Sequence, residues 1–161
     1  ISRMRGFLSV SHHKIDKKGR VSVPVSFRIN LLAEEQRSFI CFPSLLGNWL
    51  QAVTPAQMQA FIEQQDKLGA FAGEPNAYAS VLFAQAVELI PDSDGRIVLS
   101  PELLAHARIG EDVVFAGQGH FFNLWAPDIF TAQQADLRAR ALAGRADWLS
   151  PSIRQAGGGN G

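Results

Sequence analysis

Apolar positions recur along this chain in the same order twice. Val21 and Val23 stand two apart behind Asp16-Lys17-Lys18-Gly19-Arg20, and Ile97 and Leu99 do so behind Asp92-Ser93-Asp94-Gly95-Arg96. A spacing of two predicts strands. Each strand leads past a proline, Pro24 or Pro101, into helical spacing: Phe27, Leu31 and Leu32, then Leu103, Leu104 and Ala107. Proline in a first helical turn loses nothing, because its N–H would be unpaired there. Two β-rich runs follow in each half. They are Phe39–Phe42 and Trp49–Val53, then Val113–Ala116 and Phe121–Trp125. Glycine and proline between such runs predict hairpins.

Each half then closes with a longer amphipathic helix. One starts at Thr54-Pro55 and sets Met58, Phe61, Ile62 and Leu68 near one face. The other starts at Pro127-Asp128 and sets Ile129, Phe130, Leu137 and Ala141 similarly. Asp, Gly and Arg of the turn repeat at an offset of 76, as do Val21/Ile97 and Val23/Leu99. The prolines are 77 apart, which reads as an insertion of Ser100. The expected organisation is a first unit at 4–68, a linker with a short helix at 69–85, a second unit at 86–149 and a flexible glycine-rich tail at 150–161. The fold class is α+β and β-rich.

Composition narrows the class. Hydrophobic residues at 47% and charged residues at 19% describe a globular chain, not a disordered one. No apolar run approaches the eighteen or so residues of a membrane span, and the first residues lack the apolar core of a secretory signal. The expectation is a cytoplasmic protein. A single cysteine, Cys41, allows no intrachain disulfide and no multi-cysteine zinc site. The formal net charge is zero, yet residues 1–28 hold seven basic side chains against one acidic. A basic end on a neutral body still attracts a polyanion, because local potential governs the encounter.

The repeated turn explains how such an end could act. Asp accepts backbone N–H bonds across the turn, and Gly takes a positive φ without steric cost. The arginine then leaves a rigid turn, and guanidinium forks recognise phosphate or the O6/N7 edge of guanine. In the second copy, with Asp92 and Asp94 nearby, Arg96 serves equally as a clasp on its own aspartate. In the first, Lys14, Lys17 and Lys18 favour nucleic-acid contact by Arg20.

Enzyme readings find no support. His12 and His13 are adjacent in a strand and point to opposite faces. Asp92-x-Asp94-Gly95 lacks the ligand order of a calcium loop, and Gly117-x-Gly119 lacks the rest of a dinucleotide fingerprint. Cys41 sits in an apolar strand and reads as core. Neither an enzymatic role nor a cofactor or metal is expected.

With Arg5-Gly6, Ile15-Asp16-Lys17-Lys18-Gly19-Arg20-Val21-Ser22-Val23-Pro24 and Phe27-Arg28, the first half resembles that of the MraZ family. Asp92-x-x-Gly95-Arg96-Ile97, Pro101-Glu102-Leu103, Val113-Val114, Gly117-Gln118-Gly119 and Leu124-Trp125 resemble its second half. The likeness runs from about Met4 to about Ala143. One departure is Leu104, where the family usually has an arginine.

The resemblance implies two tandem AbrB/SpoVT-like swapped-hairpin β units and a ring-shaped homo-oligomer. It implies a nucleoid-associated bacterial transcriptional regulator that binds repeated short G-rich boxes upstream of the division and cell-wall gene cluster. The family's Asp-x-x-x-Arg motif carries DNA binding and maps onto Asp16 to Arg20 and Asp92 to Arg96. Arg5, Lys14, Asp16, Lys17, Lys18, Arg20, Asp92 and Arg96 are thus the candidate DNA-binding residues. No membrane partner is implied. The alternative is an antitoxin-like module of the same superfamily that binds protein.

Overall fold

The computed structural model describes residues 4–68 and 76–144. The expected flexible tail and the glycine-containing part of the linker lie outside the described residues. The elements run β1 (Val10–Lys14), β2 (Arg20–Ser22), α1 (Val25–Ala33), β3 (Phe39–Pro43), β4 (Leu50–Val53), α2 (Pro55–Lys67) and α3 (Ala77–Gln85). They continue with β5 (Val87–Leu89), β6 (Arg96–Val98), α4 (Pro101–Ala107), β7 (Asp112–Gly117), β8 (Phe122–Trp125) and α5 (Pro127–Ala143). This is the α+β, β-rich class that the periodicities predict.

Six strands form one antiparallel sheet in the order β1-β7-β8-β4-β3-β5, and β2 pairs with β6 in a separate ribbon. The lead strand of each half joins the hairpin of the other: β1 lies on β7, and β5 lies on β3. The sheet order reads the same from either end when β1 is exchanged with β5, β3 with β7 and β4 with β8. That is the signature of an internal pseudo-two-fold. Aromatic packing fills the interior: Phe122 meets Phe27, Phe7 and Phe39 in tilted or edge-on contacts at ring-centroid distances of 4.8, 4.9 and 5.1 Å. Burying such rings is the main favourable contribution to the fold.

The helix starts follow from their caps. Thr54 and Gln57 form a capping box on α2, and Ser100 Oγ accepts from Leu103 N–H on α4. Ser100 is not an insertion. Pro24 occupies the N-cap of α1 and Ser100 the N-cap of α4, so the offset of 76 continues unbroken into the helices. It pairs Phe27 with Leu103 and Leu31 with Ala107, all buried. The prolines differ by 77 because Pro101 stands one place further on, at the first helical position.

Leu32, Leu68, Leu137 and Ala141, expected on covered faces, are exposed. Leu32 points outward from α1 because Phe27 and Leu31 define the buried stripe, and Leu68 caps α2 beyond its last covered turn. The chain divides into one compact unit up to Pro127 and a second from Asp128. Within the second, α5 buries no side chain among its described residues, and an Arg140–Asp136 pair at 3.0 Å spans one of its turns.

Candidate nucleic-acid interface

The first turn is built by one carboxylate. Asp16 Oδ1 accepts from the backbone N–H groups of Lys18 and Arg20, each at 2.9 Å, and Oδ2 accepts from Arg20 Nε at 2.7 Å. Gly19 N–H donates to the Asp16 carbonyl, and its φ of +79° is available to glycine without strain. The second turn copies the backbone pattern. Asp92 Oδ1 accepts from Asp94 and Arg96 N–H at 2.9 Å each, and Gly95 has φ +77°. Its arginine is held differently. Arg96 lies 3.5 Å by Nε from Asp92 Oδ2, and its Nη2 donates to Asp94 Oδ2 at 3.3 Å.

These bonds set the charge of both aspartates. The Arg20 backbone N–H, then its guanidinium, holds Asp16 below the usual carboxylate range. The Arg96 backbone N–H does the same for Asp92. Both carboxylates are therefore ionised at neutral pH, and each orients an arginine.

Tertiary structure brings the two turns together through the β2–β6 ribbon. Arg20 stands opposite Val98, Val21 opposite Ile97, and Ser22 opposite Arg96. Val21 and Ile97 are buried, so Arg20, Ser22, Arg96 and Val98 share the outward face. The two arginines are diagonal neighbours on that face, a relation that separates side chains by about 7–8 Å. Reciprocal bonds lock the turns: Val23 N–H donates to the Gly95 carbonyl and Leu99 N–H to that of Gly19, both at 2.9 Å. Each turn is thus braced by the other half of the chain.

The remaining predicted residues fall into two groups. Lys17 and Lys18 are exposed on the first turn. Lys14 ends β1 just before that turn and pairs with Asp112 at 3.3 Å, both side chains largely in solvent. Such an exposed pair is weak and opens readily to a competing anion. Arg5 stands apart, because the N–H of the next residue, Gly6, donates to Asn30 Oδ1 at 2.8 Å and Phe7 bridges Gly119. That places it beyond the end of β1 remote from the turn. Residues 16–20 carry a net +2 and residues 92–96 a net −1.

Sequence reasoning missed Ser22 and Val98, which share the arginine face, and Arg28. Only strand pairing reveals the first two. Arg28 donates by Nε to the Val23 carbonyl at 3.2 Å, and its guanidinium lies where a Cβ on Gly95 would be. No local signal points from a helix of one half to a turn of the other.

The other sequence features take structural roles. No group of three or more metal-ligating side chains occurs among the described residues. His13 bonds Ser11 Oγ at 2.6 Å and meets the edge of Phe115, with burial, then the charge of His12, lowering its pKa. Gly117 permits the close approach of the Phe7 backbone, which a Cβ would block. Cys41 is fully buried, and burial pushes its thiol up to about 12.

The family model described as MraZ protein, likened there to antitoxins, matches residues 82–147. A Transcriptional regulator MraZ from Pelagibacter ubique is 37% identical over 140 residues, covering 87% of this chain and 90% of the relative. One from Parvibaculum lavamentivorans is 36% identical over 97% of this chain and 99% of its own length. The chain belongs to the MraZ family. Another MraZ regulator, from Rickettsia bellii, is 34% identical over 74% of this chain and 79% of its own. These relatives are all named as transcriptional regulators. No helix among the described residues is long and apolar enough to cross a membrane.

Proposed function

We propose that this protein is a sequence-specific DNA-binding transcriptional regulator that reads DNA through the β2–β6 ribbon and its two turns. The observation that carries this reading is the shared outward face of Arg20 and Arg96. A two-stranded ribbon fits the DNA major groove, about 12 Å wide, where guanine offers O6 and N7 to a guanidinium. Asp16 and Asp92 pre-orient the arginines, so less side-chain freedom is lost on binding.

Lys14, Lys17 and Lys18 serve as phosphate contacts, which position the protein without reading sequence. Arg20 reads bases. The two repeat units, 4–68 and 86–149, each supply one turn to the ribbon. A single ribbon makes few contacts, so affinity requires several copies engaging successive boxes at high effective concentration. A ring-shaped homo-oligomer on repeated G-rich boxes upstream of the division and cell-wall cluster meets that need. The protein then resides in the cytoplasm with the nucleoid.

A mobility-shift assay on the DNA upstream of the protein's own gene tests this across a salt series. Wild type and Arg20→Ala are compared, with scrambled DNA as competitor. Specific, salt-sensitive binding that Arg20→Ala abolishes is the expected result. No specific binding by folded, oligomeric protein would overturn it in favour of a protein-binding, antitoxin-like module.

A further inference from the structure

Beside the second turn, α1 and the approach to β6 flank an open groove of about 420 Å³, where Arg28, Arg37 and Asp92 stand beside the apolar Leu31, Leu32, Ile90 and Pro91. Its two guanidinium groups contrast with those of the turns. Arg20 and Arg96 each pair with a carboxylate, whereas no ion pair engages Arg28 or Arg37 among the described residues. Asp92, the acid in the groove wall, is already committed to the N–H groups of Asp94 and Arg96 and to the Arg96 guanidinium. Arg28 and Arg37 outweigh the single carboxylate of Asp92 and leave the groove net positive, and an anion between them lowers their mutual repulsion.

We infer that this groove holds a phosphate of the DNA backbone, gripped by Arg28 and Arg37 alongside the second turn. The inference rests on the DNA-binding reading above and extends its interface. Continuity supports it, since Asp92 belongs to both groove and turn and Arg28 lies against Gly95. Charge supports it as well. The first turn carries its own Lys17 and Lys18, while the second has Ser93 and Asp94 at those places. Arg28 and Arg37 bring the neighbourhood of the second turn from net −1 to net +1. The first turn has no such supplement, because the position 76 residues after Arg28 is Leu104. The second turn therefore borrows its phosphate-binding cations from the other repeat.

The test measures binding of the full chain to its upstream DNA and to scrambled DNA by fluorescence anisotropy over a salt series. Wild type, Arg37→Gln and Arg28→Gln are compared, with thermal melting to report folding. Arg37 is exposed and outside the turn, so its variant keeps the test valid if Arg28→Gln loses structure with its bond to Val23. The expected result is weaker binding of both DNAs by Arg37→Gln, with unchanged preference between them. The slope of log K against log salt falls by about 0.9 for each phosphate that is no longer neutralised. An unchanged slope in folded Arg37→Gln, with wild type binding normally, overturns the groove and leaves the ribbon reading intact. Wild type that binds no DNA overturns both. Polyglutamate that binds wild type at least as tightly as DNA, and fails to bind Arg37→Gln, assigns the groove to an acidic protein partner and overturns the inference.

Discussion

Val21 stands opposite Ile97 at the centre of the β2–β6 ribbon, and the pseudo-two-fold relating the two repeats passes between them. Both side chains are buried, while the residues on either side of each face outward. The same pairing that joins the halves therefore aims both arginines in one direction.

Truncating that pair should be costly. Ile97→Ala is expected to lower stability by about 2–5 kcal/mol, the range for a truncated core isoleucine. Denaturant unfolding measures it, and a loss below about 1 kcal/mol would mean the ribbon is not anchored to the core.

The two turn glycines should respond unequally to alanine. Both substitutions incur the left-handed strain of about 1–2 kcal/mol. At Gly19 the new Cβ would also stand 2.5 Å from the Leu99 carbonyl oxygen, backbone that cannot step aside. At Gly95 it meets the Arg28 guanidinium, the end of a flexible side chain. Gly19→Ala is expected to melt lower than Gly95→Ala, and the reverse order would contradict the observed packing.

Acid should weaken the turns. Asp16 and Asp92 have pKa values depressed in the folded state, so they bind protons more readily when unfolded. Their contribution is present above the ordinary carboxylate value near 3.8 and is lost as pH falls through the lower folded values. Unfolding measured from pH 5 downward should show stability falling with acidification. Asp16→Asn and Asp92→Asn should each flatten that dependence.

Arg20→Ala and Arg96→Ala should differ in DNA binding. Loss of bidentate guanine recognition at Arg20 costs about 1–3 kcal/mol per site and relaxes base preference. Arg96 is tied to Asp92 and Asp94 in an acidic turn, so its removal should cost less. Equal losses in one titration would show that the two turns read DNA alike.

Cys41 should be inert in the folded protein. Its thiol is buried and its pKa is pushed up to about 12, which leaves almost no thiolate at neutral pH. A chromogenic disulfide reagent is expected to react only after denaturant is added. Stoichiometric reaction under native conditions would mean that the sheet opens around β3.

By itself the sequence determined the local grammar of this protein: two Asp-x-x-Gly-Arg turns, their strands, the helices behind them and the hairpins. These were legible because their causes are local. Asp16 closes its turn on residues two and four places away, and Thr54 caps its helix through a residue three places on. The charge contrast between the turns was legible for the same reason. Tertiary structure alone decided that β1 lies on β7 and β5 on β3, that Ser22 and Val98 share the arginine face, and that Arg28 reaches Gly95. It also showed that Ser100 is a cap equivalent to Pro24 and not an insertion. Those relations join residues far apart in the chain, and their partners are selected by burial and backbone pairing across the whole sheet. A period of two or of 3.6 tells which face of an element is covered, but not which distant strand or helix covers it.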